Sequence, residues 1–174
     1  MGSNDGYSDE RPVHSVTVPT FEMSKTEVTV DQYRACVDAG SCTAPGTGTG
    51  GRDWKYPWGD EEATCERAVM DDGSGFGCGR NSTWPVCSKP SGNTTQGLCD
   101  MAGNVYEWVQ DWYHDSYDGA PTDGSAWESP AGSLRVVRGG SWGRYARSVR
   151  AANRIDNLPG FRSVIVGFRL ARSV

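Results

Sequence analysis

From Leu134 to Val174 the chain carries nine arginines, at positions 135, 138, 144, 147, 150, 154, 162, 169 and 172, against a single acid, Asp156. The whole chain has a net charge of −5, so residues 1–133 carry about −13 once that tail is set aside. A fold that kept the two parts separate would leave two strongly charged bodies. Arginines at spaced positions read instead as partners for the acids of the same domain. Arginine outnumbers lysine 14 to 3, which suits fixed, bidentate pairing better than a diffuse basic patch, so no nucleic-acid partner is expected. Two short frames, Arg138-Gly-Gly-Ser-Trp142 and Gly167-Phe-Arg-Leu170, bracket a run of unrelated side chains within this tail. The frames read as scaffold and the bracketed run as a surface.

A length of 174 residues is enough for one domain, 1–174, with a real core. The 23 glycines imply many loops. No apolar run approaches the roughly 20 residues of a spanning helix, so no membrane insertion is expected. Neither a signal peptide nor a myristoylation pattern stands at the start. The cysteines, Cys36, Cys42, Cys65, Cys78, Cys87 and Cys99, are even in number and all precede residue 100. They imply up to three disulfides and an oxidising location: secreted, cell-surface or on a phage particle. Cys36 and Cys42 are placed to close a short loop; the other pairings stay open. A metal site on the cysteines is disfavoured, because no C-x-x-C occurs and His14 and His114 are isolated.

Pro12–Pro19 alternates as an edge strand, and Thr29 reads as the N-cap of a short helix through Val37. Residues 43–52 are a Gly/Thr-rich connection, and residues 54–98 are loop-rich with Trp54, Trp58 and Trp84. Asn104–Trp112 reads as a central strand, and Arg135–Arg138 and Ser163–Leu170 as two more. Strands with one or two short helices make the fold class α+β.

Several motifs in order give a family resemblance. They are Glu10-Arg-Pro-Val-His14, Lys25-Thr-Glu-Val-Thr29 with Gln32-Tyr33, Tyr56-Pro-Trp-Gly-Asp60, Gly97-Leu-Cys-Asp-Met-Ala-Gly-Asn-Val-Tyr-Glu-Trp108, and the two frames above. Together they resemble the formylglycine-generating-enzyme, or sulfatase-modifying-factor, type of C-type-lectin-like domain. The family's catalyst uses a copper-binding cysteine pair after the Arg-Gly-Gly-Ser motif. Here no cysteine follows Cys99, so neither copper nor catalysis is expected. The family's second helix also has no counterpart before Tyr56, where only the glycine-rich 45–52 stretch stands, so the domain reads as minimised. The resemblance also implies a structural calcium ion held by Asp100 and Glu107 with the carbonyls of Gly103 and Val105. Oxygen donors on a tight loop suit calcium; the competing reading pairs Glu107 with Arg138 or Arg169.

Residues 134–170 resemble one branch in particular, the variable proteins of diversity-generating retroelements, in which adenines of AAC-type codons are rewritten. The resemblance assigns frame positions to Trp142, Ala146, Arg147, Val149 to Arg154, Pro159, Arg162 and Gly167 to Arg169. It assigns display positions to Gly143, Arg144, Tyr145, Ser148, Ile155, Asp156, Leu158, Gly160, Phe161, Ser163, Val164 and Ile165. Rewriting the adenines of AAC never yields Met, Lys, Gln, Glu or Trp, and none of the five occurs after Trp142. Twelve positions lack all five by chance with a probability of roughly 7%. The interleaved aromatic, aliphatic and small polar set has the character of a paratope. The expected function is therefore a non-catalytic module that binds a protein ligand or cell-surface receptor. The alternatives are an ordinary secreted accessory domain and, less favoured, a carbohydrate-binding lectin.

Overall fold

The computed structural model describes residues 1–29, 32 and 54–173. Its regular elements are short: strands β1 (Phe21–Met23), β2 (Tyr106–Trp112), β3 (Arg135–Arg138), β4 (Arg154–Asn157), β5 (Val166–Gly167) and β6 (Ala171–Ser173). Single 3-10 turns lie at Ser8–Glu10, Pro90–Gly92 and Ala146–Val149. A four-stranded sheet runs in the order β4-β3-β2-β5, and β1 pairs with β6 in a separate ribbon. Strand β2 is central, antiparallel to β3 and parallel to β5, with Glu107 opposite Arg138 on one side and Gly167 on the other. Val136 and Val137 on β3 and Tyr106 and Val109 on β2 are buried, as apolar residues of a covered central pair should be. A further cluster, Tyr56, Ala63, Ala68, Met70, Ala102 and Val149, brings the loops of residues 56–70 against the Ala146–Val149 turn.

Two disulfides, Cys65–Cys78 and Cys87–Cys99, staple the loop-rich region. They settle two pairings that spacing leaves open and point to an oxidising environment. Cys36, Cys42, the glycine-rich stretch and most of the expected helix lie outside the described residues. The start of that helix is visible, since the Thr29 backbone N–H donates to Gln32 Oε1 (2.9 Å) and the Gln32 N–H donates to Thr29 Oγ1 (3.3 Å). This reciprocal pair is a capping box, which agrees with Thr29 as the N-cap. Among the described residues no helix is long and apolar enough to cross a membrane.

Three elements differ from expectation. Pro12–Pro19 forms no strand: its described main-chain bonds are His14 N–H to the Met1 carbonyl, the Met1 amino group to the His14 carbonyl, and Thr17 N–H to the Thr122 carbonyl, and each flanking proline lacks a donor. The pairing strand is instead β1, just beyond it. Ser163–Leu170 is not one strand but β5 alone, because Arg169 turns inward to a buried partner. Strand β4 arises inside the run that shows no strand period.

Candidate ligand-binding surface

The chain leaves β3 through Gly139 and Gly140, both at positive φ (87° and 74°). A Cβ on Gly140 would lie 2.7 Å from Val149 Cγ1 and 2.8 Å from the Ser148 carbonyl oxygen, so only glycine lets the following segment turn back so closely. From Trp142 onward that segment is held by its main chain. The N–H groups of Asp71 and Gly77 donate to the carbonyls of Arg144 (2.9 Å) and Trp142 (2.7 Å), and the Trp142 N–H donates to the Asn104 carbonyl (2.9 Å). At the far end the Tyr106 N–H donates to the Ile165 carbonyl (2.8 Å). The indole of Trp142 spans the interval, its Nε1–H donating to the Val164 carbonyl (3.2 Å). Main-chain bonds of this kind are the same whatever side chain the residue bears.

Exposure varies along the segment, and the frame positions Arg147, Pro159 and Arg162 are exposed as well as display positions. Arg144, Tyr145, Asp156, Leu158, Gly160, Phe161 and Val164 are exposed; Gly143, Ser148, Ile155, Ser163 and Ile165 are half-buried. None of the twelve display positions is buried. Interleaved with or flanking them, the frame positions Val149, Asn153, Arg154 and Arg169 are buried. A Cβ added at Gly143 or Gly160 would meet nothing within 4 Å. Tyr145, Leu158, Phe161 and Val164 stand out as apolar groups, Tyr145 and Leu158 at 62% exposure and Val164 at 75%. The twelve do not share one face. Successive side chains of β4 alternate, so Asp156 projects with Arg154, toward Tyr113, while Ile155 projects oppositely.

Beneath this surface the arginines meet the acidic body, though not all of them do. Arg150 grips Glu10 with two bonds (2.8 and 2.6 Å). Burial pushes the Glu10 carboxyl up, but Arg150 more than offsets this and leaves it below its ordinary value. Arg154 donates to the carbonyls of Asp9 and His114 and lies 3.8 Å from the Asp9 carboxylate. Arg169, wholly buried, holds Glu107 through Nε (2.8 Å) and Nη2 (2.5 Å) and donates to the carbonyls of Ser24, Lys25 and Cys99. Arg138, expected to neutralise an acid, instead donates to the Tyr117 hydroxyl and the Asn153 carbonyl. Arg162 is exposed.

With this geometry in view, the chain matches the sulfatase-modifying factor enzyme 1-like domain over residues 1–48 and 43–174. It belongs to that family. A family relative, the serine/threonine-protein kinase Pkn1 of Chlamydia trachomatis serovar L2, is 30% identical over 234 residues, covering 99% of this chain and 36% of the relative. The chain thus spans about a third of that relative's length. The aligned stretch is longer than the chain itself, so Pkn1 carries segments absent here. Among solved structures, PvdO from Pseudomonas aeruginosa superposes with a TM-score of 0.78 at 28% identity, over 100% of this chain and 90% of PvdO. Treponema denticola variable protein 1 shares the fold with a TM-score of 0.64 at 22% identity, over 98% of this chain and 90% of its own.

Within this sulfatase-modifying-factor scaffold, two of the four residues expected to hold calcium, Glu107 and Asp100, have protein partners. Both Glu107 oxygens are taken by Arg169, which already brings a positive charge to the site. An Asp100 oxygen accepts from the Cys87 N–H (2.6 Å). Among the described residues no cluster of three or more His, Cys, Asp and Glu side chains is arranged for a metal. Sequence reasoning gave no role to Glu27, a buried carboxyl that accepts from Asn104 Nδ2 (3.0 Å). Desolvation, reinforced by the charges of Asp100 and Glu107, pushes it up to about 8. Its only sequence signal was its place in the Lys25–Thr29 motif.

Proposed function

We propose that this domain is a non-catalytic recognition module, a C-type-lectin-like scaffold whose 142–165 segment binds a protein or cell-surface receptor through interchangeable side chains. One observation carries the reading: twelve positions without a buried member are interleaved with buried frame residues, on a backbone held by main-chain hydrogen bonds. Such a segment can change its chemistry without unfolding the domain. The shared fold with a Treponema variable protein supports the same reading. So does the covalent state of Cys99, which is in a disulfide and is the last cysteine of the chain, so no thiol follows Trp142 for copper chemistry. Sequencing the DNA that flanks the gene tests the proposal. The expected result is a near-copy of the coding segment for residues 142–169, carrying adenines at the display codons, beside a reverse-transcriptase gene. Flanking DNA without either overturns diversification.

A second reading, an accessory domain of a longer chain, is favoured by the coverage of only 36% of Pkn1. It differs in one expectation: an accessory domain docks on a fixed neighbour, so homologous copies keep the same residues at the twelve positions.

A further inference from the structure

The twelve display positions are fewer than the roughly 20–30 residues a side that a stable protein–protein interface uses. The structure supplies a neighbour. The loop closed by Cys65–Cys78 lies along the start of the display segment, joined to it by the Asp71–Arg144 and Gly77–Trp142 main-chain bonds and by a parallel bridge between Asp71 and Tyr145. Near its Cys78 end Phe76 is 46% exposed, and its ring meets the Trp142 indole edge-on at 6.4 Å. Trp142 in turn donates to the Val164 carbonyl. Phe76, Trp142 and Val164 are thereby linked, with exposed Tyr145 close by in sequence on the backbone bridge to Asp71, and Phe76 contributes from outside the display segment.

Exposed cations outnumber exposed acids around this area. Arg144 and Arg162 are exposed, and so is Arg80, which stacks on Trp84 beside Phe76 at 3.7 Å. None of the three is ion-paired with a carboxylate among the described residues. Against them stand two acids of the loop: Asp71, buried, accepts from the Gly73 N–H, and Asp72, exposed, accepts from Ser74 and Cys65. Asp156 projects from the Arg154 face of β4.

Building on the function proposed above, we infer that the ligand-binding surface continues onto the Cys65–Cys78 loop, with Phe76 as a fixed anchor, and that its partner is a protein patch of apolar side chains flanked by carboxylates. A rigid aromatic held by a disulfide-closed loop loses little entropy on binding. It supplies affinity common to all versions of the surface, while the display positions supply selectivity. Arginines without carboxylate partners favour an acidic rim by charge complementarity.

The test uses 15N-labelled protein and two acetylated, amidated peptides, one alternating aspartate with tryptophan and one alternating lysine with tryptophan. The aspartate peptide is expected to shift the Trp142 Nε1–H resonance and to bind about tenfold more tightly than the lysine peptide. Phe76→Ala and Tyr145→Ala are each expected to weaken it about fivefold or more without lowering the melting temperature. Phe76→Asp weakens the aspartate peptide further and narrows the difference between the two. Equal binding of both peptides overturns the acidic partner, and concentration-dependent shifts of Trp142 in the protein alone overturn it in favour of a second copy. If Tyr145→Ala weakens binding and Phe76→Ala does not, the loop is not part of the surface although the display reading stands. If neither variant matters, both fall.

Discussion

Replacing Glu107 by glutamine keeps the shape of the side chain and removes only its charge. The partner is Arg169, 0% exposed, with Nε 2.8 Å and Nη2 2.5 Å from the two carboxylate oxygens. After the change the guanidinium keeps the carbonyls of Ser24, Lys25 and Cys99 and the nearby Asp100, but loses the only carboxylate hydrogen-bonded to it among the described residues. Breaking a buried pair in this way costs about 3–5 kcal/mol. In a domain of this size each kcal/mol lowers the melting temperature by roughly 2–4 °C, so the expected fall is about 6–20 °C. Urea denaturation of Glu107→Gln, Arg169→Met and the double variant completes a thermodynamic cycle. The double variant is expected to lose less than the sum of the singles, since neither charge is then stranded. A cost below about 1 kcal/mol for Glu107→Gln, the range of exposed pairs, refutes the claim that the arginine tail is anchored on buried acids. The same samples test calcium: a chelator lowers the wild-type melting temperature if Asp100, Gly103, Val105 and Glu107 hold an ion, and leaves it unchanged if Arg169 alone neutralises Glu107.

Glu27 gives a pH dependence. Its folded pKa of about 8 lies above the unfolded value of 4.5, so between those limits the folded state holds a proton that the unfolded state releases. Stability is therefore expected to fall as pH rises from 5 to 8, at up to about 1.4 kcal/mol per pH unit, and Glu27→Gln should flatten the curve. The two kinds of glycine should part company. Gly140→Ala, at φ 74° and against Val149, is expected to cost about 1–2 kcal/mol for the left-handed backbone alone. Gly160→Ala, with open space around it, should stay within about 0.5 kcal/mol of wild type. Opening the Cys65–Cys78 loop with a double serine substitution is expected to lower stability by about 3 kcal/mol, the loop-entropy value for a closure of this length.

What could be read from the sequence was whatever depends on local pattern. Arg135–Arg138, with two adjacent β-branched valines, is a strand at those residues; Tyr106–Trp112 falls within the expected Asn104–Trp112. The charge asymmetry foretold that arginines would return to the acidic body, and Arg150, Arg154 and Arg169 do. Long-range pairing was not legible. Strand β1 is defined by β6, about 150 residues away, with Phe21 opposite Ser173, and nothing local separates Phe21–Met23 from the better-alternating Pro12–Pro19. Strand β4 was hidden because Arg154-Ile-Asp-Asn157 has a single apolar residue and shows no alternation of apolar and polar side chains. What makes it a strand is its frame: buried Arg154, and backbone pairing with Arg135–Arg138. The disulfide partners Cys65 with Cys78 and Cys87 with Cys99 follow from the loop path, which spacing does not encode. Asp156 was grouped with Ile155 because adjacent display codons say nothing of strand alternation.

The central claim, a fixed frame holding a changeable surface, is tested most directly by measuring folding stability for every substitution from Trp142 to Arg169, for example by protease resistance of a displayed library. The account expects nearly all changes at the twelve display positions, Gly143 and Gly160 included, to leave resistance at the wild-type level. It expects most changes at Val149, Asn153, Arg154 and Arg169 to abolish resistance. Display positions as intolerant as these four would contradict it.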